Sequence, residues 1–177
     1  MNDPTPLARR VLAKLRAIPD YPKPGIVFQD ITPVLADARL LRAVVAELAD
    51  PFRGRGVSHV LGIEARGFIL GGAVATDLGA GFVPARKPGK LPWERVSAAY
   101  QLEYGSDALE AHRDGLPGGS RVLVVDDVLA TGGTAQAAGR LARDLGAEVL
   151  GWSFLLEIGG LDGRSRLDGP VHVIAKP

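Results

Sequence analysis

Residues 121–136 read RVLVVDDVLATGGTAQ, and the fold follows from how this stretch is read. Residues 122–125 are apolar and mostly β-branched. The run is too short for a helix face and suits a strand covered on both sides. Asp126 and Asp127 stand where that strand leaves the core, followed by Val128, Leu129 and the small, hydroxyl-rich run Ala130, Thr131, Gly132, Gly133, Thr134. Ala135, Ala138, Leu141, Ala142 and Leu145 then recur at helical spacing, and Gly146 stands where a left-handed cap belongs.

A strand, an acidic pair, a Gly/Thr loop and a helix start predict an anion site. The first N–H groups of a helix have no partner within it and favour a phosphate, and glycines let the backbone approach the phosphate oxygens. Thr131 and Thr134 add hydroxyl donors. No lysine follows the glycines as in a P-loop, and the spacing is not GxGxxG. Two carboxylates beside a bound phosphate would repel a second one unless they face hydroxyl donors or a hydrated cation. A sugar phosphate supplies the former and magnesium the latter.

Upstream, residues 57–63 form a second short apolar run that ends in Glu64, Ala65, Arg66 and Gly67. Phe68, Ile69, Leu70, Val74 and Leu78 supply the next helix, with Gly71 and Gly72 expected to allow close contact with the sheet. A charged pair at a strand tip opening onto glycine reads as a second oxyanion site, with Arg66 as its forked donor. Residues 80–86 predict a third strand. Beyond it, Arg86, Lys87 and Lys90 lie in a loop broken by Pro88, Gly89 and Pro92. Three cations suit an ordinary solvated loop. In a parallel sheet, however, this loop leaves the same carboxyl edge as the other two, where ligands of open α/β sheets bind.

Residues 97–104 and 108–112 read as the arms of a hairpin turning at 105–107, a candidate lid with Glu103 and Tyr104 near its tip. Thr5 and Pro6 mark a helix start, with Leu7, Val11, Leu12, Leu15 and Ile18 as its apolar face up to Pro19. Residues 20–33, DYPKPGIVFQDITP, are proline-rich yet contain Ile26, Val27, Phe28 and Ile31. They either cover the sheet or line a pocket for something flat and apolar. Asp37 caps a helix in which Leu40, Leu41, Val44, Val45 and Leu48 face inward. Residues 148–156 and 171–174 predict two further strands, with a weak helix at 159–167. His59, His112 and His172 lie in expected strands and read as structural or exposed. Strands alternating with helices, without repeat or linker, predict one doubly wound α/β domain.

The 177 residues suit one domain of ordinary size. Lys plus Arg number 21 against 20 for Asp plus Glu, and a net charge of +1 gives no support to a general nucleic-acid surface. The lack of cysteine excludes disulfides and thiolate metal sites and suits a reducing compartment. No run of about 18 apolar residues is available to span a membrane, and the N-terminus lacks the apolar core of a signal peptide. The expectation is a cytoplasmic protein with neither nucleic acid nor membrane as partner.

VLVVDDVLATGGTA resembles the phosphoribosyl-pyrophosphate (PRPP) signature of the type I phosphoribosyltransferases. PGIVFQDITP, GIEARGF, RKPGKLP and YQLEYGSDALE precede it in that order. Five strings at consistent spacing, from about Asp20 onward, resemble the adenine phosphoribosyltransferase branch of that family. The resemblance implies a mainly parallel sheet with flanking helices, a projecting hairpin lid near 87–110, and a small hood within 1–35 over a core of 36–177, together one domain.

It also implies roles. Phe28 stacks on adenine, with Val27 and Gln29 presenting main-chain groups to the purine edge; many relatives carry arginine where Gln29 stands. Ala65 and Arg66 belong to the pyrophosphate loop. Arg86, Lys87 and Lys90 belong to a cationic loop, part of which reaches a neighbouring subunit in family dimers, so a homodimer is implied. Asp126 and Asp127 meet the ribose hydroxyls, and Ala130, Thr131, Gly132, Gly133 and Thr134 hold the 5-phosphate. Tyr104 binds substrate from the lid, and Glu103 is the acid/base residue for adenine N7. Magnesium is implied mainly through PRPP and water, near Asp126 and Asp127, without a dedicated protein site.

The reaction implied is adenine plus PRPP giving AMP plus pyrophosphate through an oxocarbenium-like transition state. Two alternatives stand beside it. A transferase for a 6-oxo purine would want a donor, often lysine, at the base edge, whereas Val27 and Phe28 offer main chain. A non-catalytic PRPP sensor is the other, against which Glu103 and the cationic loop favour turnover.

Overall fold

The computed structural model describes residues 4–101 and 106–177. In chain order the elements are α1 (Pro6–Lys14), β1 (Arg16–Ile18), β2 (Phe28–Asp30), α2 (Thr32–Leu35), α3 (Ala38–Ala49), β3 (His59–Ile63), α4 (Gly67–Leu78), β4 (Gly81–Ala85), β5 (Arg95–Gln101), β6 (Ser106–His112), β7 (Arg121–Leu129), α5 (Gly133–Asp144), β8 (Glu148–Glu157) and β9 (Val171–Ala175).

Five strands form a parallel sheet in the order β4-β3-β7-β8-β9. Side chains alternate across it, as the two-residue period of a strand requires. Val122 and Val124 of β7 pack with Ala138, Leu141 and Ala142 of α5 and with Ala98, Leu109 and Ala111 of the β5–β6 hairpin. Leu123 and Val125 pack on the other side with Val44 and Leu48 of α3, Leu70 and Val74 of α4 and Val11 of α1. The sheet is therefore covered on both faces, which explains the unbroken apolar run of its central strand. Trp152 of β8 lies over Gly139 of α5, where an added Cβ would come within 2.2 Å of the indole; its Nε1 donates to the Asp168 carbonyl at 2.9 Å.

The starts of α1 and α3 follow their capping residues. Thr5 Oγ1 accepts from Ala8 N at 3.1 Å, and Asp37 Oδ1 accepts from Leu40 N at 3.1 Å. Elsewhere the local pattern is overridden. Leu15 and Ile18 keep helical spacing, yet the chain turns extended at Leu15, and β1 pairs antiparallel with β2, Arg16 opposite Asp30. The weak helix expected at 159–167 is only a short 3-10 turn, Gly163–Arg166. Of the two glycines expected to touch the sheet, only Gly71 does: its added Cβ would lie 3.2 Å from Gly62 Cα, whereas Gly72 has nothing within 4 Å. β7 does not stop before the acids but runs through them to Leu129. Among the described residues no helix is long and apolar enough to cross a membrane.

Candidate active site

β3 and β7 lie side by side, but the chain leaves them in opposite directions. From β3 it passes through α4 to β4 at one edge, and from β7 through α5 to β8 on the other side. Residues 64–66 and 130–132 thus diverge at the carboxyl edge, opening the crevice where ligands of doubly wound sheets bind. Pairing of β7 with β3 ends at Val125, opposite Gly62, while pairing with β8 continues to Leu129. Asp126 and Asp127 have therefore lost one neighbouring strand and face the crevice from that side.

Gly132 adopts φ +81° as the N-cap of α5, and no side chain caps the helix. The recess around residues 128–135 and Asp126 is small, about 80 Å³. It adjoins a larger cavity of about 320 Å³ lined by Glu64, Ala65, Arg66, Lys87, Asp126, Asp127, Val128, Ala130 and Thr134. Asp126, Val128, Ala130 and Thr134 belong to both. A still larger cavity, about 570 Å³, lies along α5 beside Arg140, Arg143 and Arg166. Two of these arginines are already paired, with Asp144 at 3.8 Å and Asp168 at 3.2 Å, and neither member of the acidic pair reaches it. Size alone does not locate the chemistry.

Arg66 ties the site together. Its Nε donates to Asp127 Oδ2, and its guanidinium carbon stands 5.0 Å from the centre of the Phe28 ring. Phe28 meets Tyr21 edge to face, with centroids 5.3 Å apart at 76°. One guanidinium therefore links the segment around Tyr21 and Phe28 to the acids. Val27 is exposed and Gln29 half-buried beside it. Asp30 accepts from Thr32 N and Thr32 Oγ1, both at 2.9 Å, which holds its carboxyl below the usual range and pins the end of β2.

Burial, and then the charge of Asp127, push the Asp126 carboxyl well above the ordinary carboxylate value, although the Asp127 amide donates to Asp126 Oδ1 at 2.8 Å. Gly67 opens α4 directly against this residue. A Cβ there would come within 2.6 Å of Asp126 Oδ1 and 3.1 Å of the Val125 carbonyl.

On the other wall, Glu64 gathers the cationic loop. It accepts from Lys90 Nζ, from the Lys87 amide at 2.8 Å and from Arg86 Nε at 3.4 Å. Burial alone would raise its pKa, but these donors outweigh burial and hold the carboxyl below its usual range. Glu110 of β6 also holds this loop, accepting from Gly89 N at 3.0 Å, and pairs with Arg95 Nε of β5 at 3.1 Å.

The structure thus brings Phe28, Arg66, Asp126, Asp127, Lys87 and the 130–134 loop to one crevice, with Arg86 and Lys90 at its rim on Glu64. Glu103 and Tyr104 lie outside the described residues; β5 and β6 on either side of them pair antiparallel, with Ser106 and Asp107 already in β6 where a turn over 105–107 was expected. Tyr21 was not singled out from sequence, and Glu64 only as the acid of the charged pair at the strand tip. The only signals were an aromatic inside a proline-rich stretch and an acid beside a strand tip, and neither is specific. Among the described residues no three acidic or histidine side chains are grouped to hold a metal. Of the carboxylates lining the crevice, Asp127 is already engaged by Arg66 and Glu64 by the cationic loop, which leaves Asp126. A magnesium ion would fit here only if substrate oxygens and water supplied most of its ligands, which is its usual habit at phosphate sites.

Residues 34–168 match the family model described as the phosphoribosyl transferase domain. A curated adenine phosphoribosyltransferase from Myxococcus xanthus is 58% identical over 163 residues, which cover 92% of this chain and 89% of that protein. The crystal structure of adenine phosphoribosyltransferase from Rhodothermus marinus superposes with a TM-score of 0.93 at 50% identity, covering 97% of this chain and 98% of the other. The Saccharomyces cerevisiae enzyme, solved with adenine and D-2,5-dideoxy-2,5-imino-altritol 1,6-bisphosphate, gives 0.89 at 40% identity over 95% and 98% of the two chains. With the switch-point crevice, the acidic pair and the open helix start in their expected places, the chain belongs to the phosphoribosyltransferase family, in its adenine phosphoribosyltransferase branch.

Proposed function

We propose that the protein transfers the 5-phosphoribosyl group of PRPP to adenine, giving AMP and pyrophosphate in purine salvage. The observation that carries this reading is the pair of adjoining cavities that share Asp126, Ala130 and Thr134. One is floored by the start of α5 and suits a single phosphate. The other is walled by Arg66 and Lys87 and suits a diphosphate. PRPP has these two ends on one sugar.

In this assignment the 5-phosphate accepts from main-chain N–H groups of the loop Ala130, Thr131, Gly132, Gly133 and Thr134. The ribose hydroxyls donate to Asp126 and Asp127. Adenine lies against Phe28, its edge reading the main chain of Val27 and Gln29. As the bond from adenine N9 to the anomeric carbon forms and the bond to the diphosphate oxygen breaks, positive charge on the ribosyl ring faces the two aspartates. Negative charge on the leaving pyrophosphate faces Ala65 and Arg66 and the cations Arg86, Lys87 and Lys90. Magnesium, when bound, would neutralise diphosphate charge. Glu103, carried by the lid with Tyr104, takes the proton from adenine N7 as N9 attacks, which leaves neutral adenine in AMP, and closure keeps water from the cation.

Residues 1–35 act as hood and 36–177 as core of one domain. The protein works in the cytoplasm as a homodimer; Ile69 on α4, Phe82 on edge strand β4 and Trp93 in the following loop are exposed apolar side chains available to such a contact. A monomer mass by light scattering at micromolar concentration would refute the dimer.

The deciding assay is pyrophosphate release on mixing protein, adenine, PRPP and magnesium, with AMP as the second product. Turnover with guanine or xanthine in place of adenine would transfer the assignment to another purine. PRPP binding without turnover on any base would favour a sensor. In the same assay Phe28→Ala should raise the adenine KM with PRPP affinity kept. Glu103→Gln should lower kcat by roughly 10²- to 10⁴-fold, the usual worth of a positioned acid or base.

A further inference from the structure

Lys87 is fixed at its main chain and held at its tip. Its amide donates to Glu64 Oε2 at 2.8 Å, and the bridge between Arg86 and Glu110 precedes it directly, with paired amide-to-carbonyl bonds of 2.8 and 2.7 Å. Its ammonium is taken up by two side chains of the hairpin. It donates to the Asp107 carboxylate and, at 2.6 Å, to the Tyr100 hydroxyl, which itself donates to Asp107 Oδ2 at 3.2 Å. Tyr100 and Asp107 are cross-strand partners on β5 and β6, so the two groups converge from one face of the hairpin. Burial would lower the lysine pKa, but Asp107 and Tyr100 outweigh it and raise the ammonium above its ordinary value. Nothing in sugar, base or 5-phosphate binding calls for an acid at position 107.

We propose that Asp107, backed by Tyr100, sets the affinity of the pyrophosphate subsite: its carboxylate holds the Lys87 ammonium, and pyrophosphate obtains that cation by exchange with Asp107. The proposal rests on Lys87 serving pyrophosphate. Asp107 and Tyr100 take two of the three N–H donors of the ammonium, and the Asp107 charge offsets its pull on an anion in the cavity that Lys87 lines, so a diphosphate that draws the ammonium fully to itself competes with them. Asp107 therefore weakens pyrophosphate binding by about the net worth of the pair. Its side chain and that of Lys87 are each about a third exposed, at 28% and 35%, so that worth is modest. Asp107 is a positioning residue, acting on the leaving group only through Lys87. Because it belongs to the hairpin that carries Glu103 and Tyr104, the exchange also unties that hairpin from the cationic loop at one point, while the Arg86–Glu110 pairing and the Gly89–Glu110 bond remain. Leaving-group binding and lid position are then linked, and the linkage is reciprocal.

Titration calorimetry of pyrophosphate at fixed magnesium tests this in a double-mutant cycle. Asp107→Asn should lower the pyrophosphate Kd roughly two- to fivefold, as expected for losing a partly exposed competing ion pair. Tyr100→Phe should shift it less, in the same direction, and Asp107→Glu should keep the parent value. Lys87→Ala should raise Kd, and in that background Asp107→Asn should have no further effect. A merely structural Asp107 would weaken binding when lost, with or without Lys87. Unchanged or weaker binding in folded Asp107→Asn overturns the exchange while leaving Lys87 in place. An unchanged Kd in Lys87→Ala overturns the assignment of Lys87 to pyrophosphate, and the exchange with it.

Discussion

Gly132→Ala should leave a protein that no longer binds PRPP and is less stable by about 2–5 kcal/mol, the sum of a left-handed backbone penalty and an overpacked contact. Two independent constraints meet at this position. Its φ of +81° is one that a side chain resists, and a Cβ there would lie 2.4 Å from the Gly163 carbonyl oxygen. Gly163 is as tightly placed, since a Cβ on it would stand 2.1 Å from the Ala130 carbonyl. The 130–134 loop and the turn at 163 are thus packed backbone on backbone, and neither can retreat without moving the amides at the start of α5. Gly146→Ala is the matched control. Its φ is also positive, +80°, but nothing lies within 4 Å of the added carbon. It should cost only about 1 kcal/mol of backbone strain and leave PRPP binding intact. Thermal denaturation and PRPP titration on both variants separate the contributions, and a Gly132→Ala protein with the parent Tm and affinity would remove this loop from the site.

Asp126→Asn should move stability and function in opposite directions. Because burial and the neighbouring Asp127 charge raise the Asp126 pKa in the folded protein, the native state binds more protons than the unfolded chain from the ordinary carboxyl range up to the raised value. Stability therefore falls as pH rises through that window, and at neutral pH the charged form is a liability of the fold. Removing the charge should stabilise the protein by on the order of 1 kcal/mol near pH 7 and flatten that part of the pH profile. PRPP affinity should drop, because an amide supplies one acceptor where the carboxylate supplied two. Urea unfolding between pH 4 and 8, with PRPP titration at pH 7.5, reads both effects. A variant destabilised at neutral pH would mean that Asp126 is held as a structural anion.

Where local chemistry governs, the chain was legible. The strand, acids, glycine loop and helix around 121–146 need only period-two and period-3.6 patterning and a cap, and they form nearly as expected. The caps at Thr5 and Asp37 are of the same kind. Local pattern misled where a remote partner offered more. Leu15 and Ile18 continue a helical stripe, but residues 16–18 join 28–30 as a two-stranded ribbon, and the bonds offered by β2 lie beyond any local window. The 159–167 segment had too little periodicity to hold a helix once Gly163 was needed against Ala130. At the crevice, the residue types were readable because amides at a helix start, paired carboxylates at a strand end and cations in a loop are each features of a short segment. Tyr21, Tyr100 and Asp107 were not, nor was the role of Glu64 as anchor of the cationic loop, since their value lies in what they touch.

From residue order alone come the succession of elements and the chemistry of each loop, because backbone preference, hydrophobic period and glycine freedom are properties of short segments. The folded chain adds the partner each charge finds. Arg66 meets Asp127 across 61 positions and also covers Phe28, Lys87 meets Asp107 across 20, and Glu64 gathers three donors from the cationic loop. Such pairings depend on strand register and on which side of the switch point a loop departs. Both are settled only when the sheet assembles and the distances between remote residues become fixed.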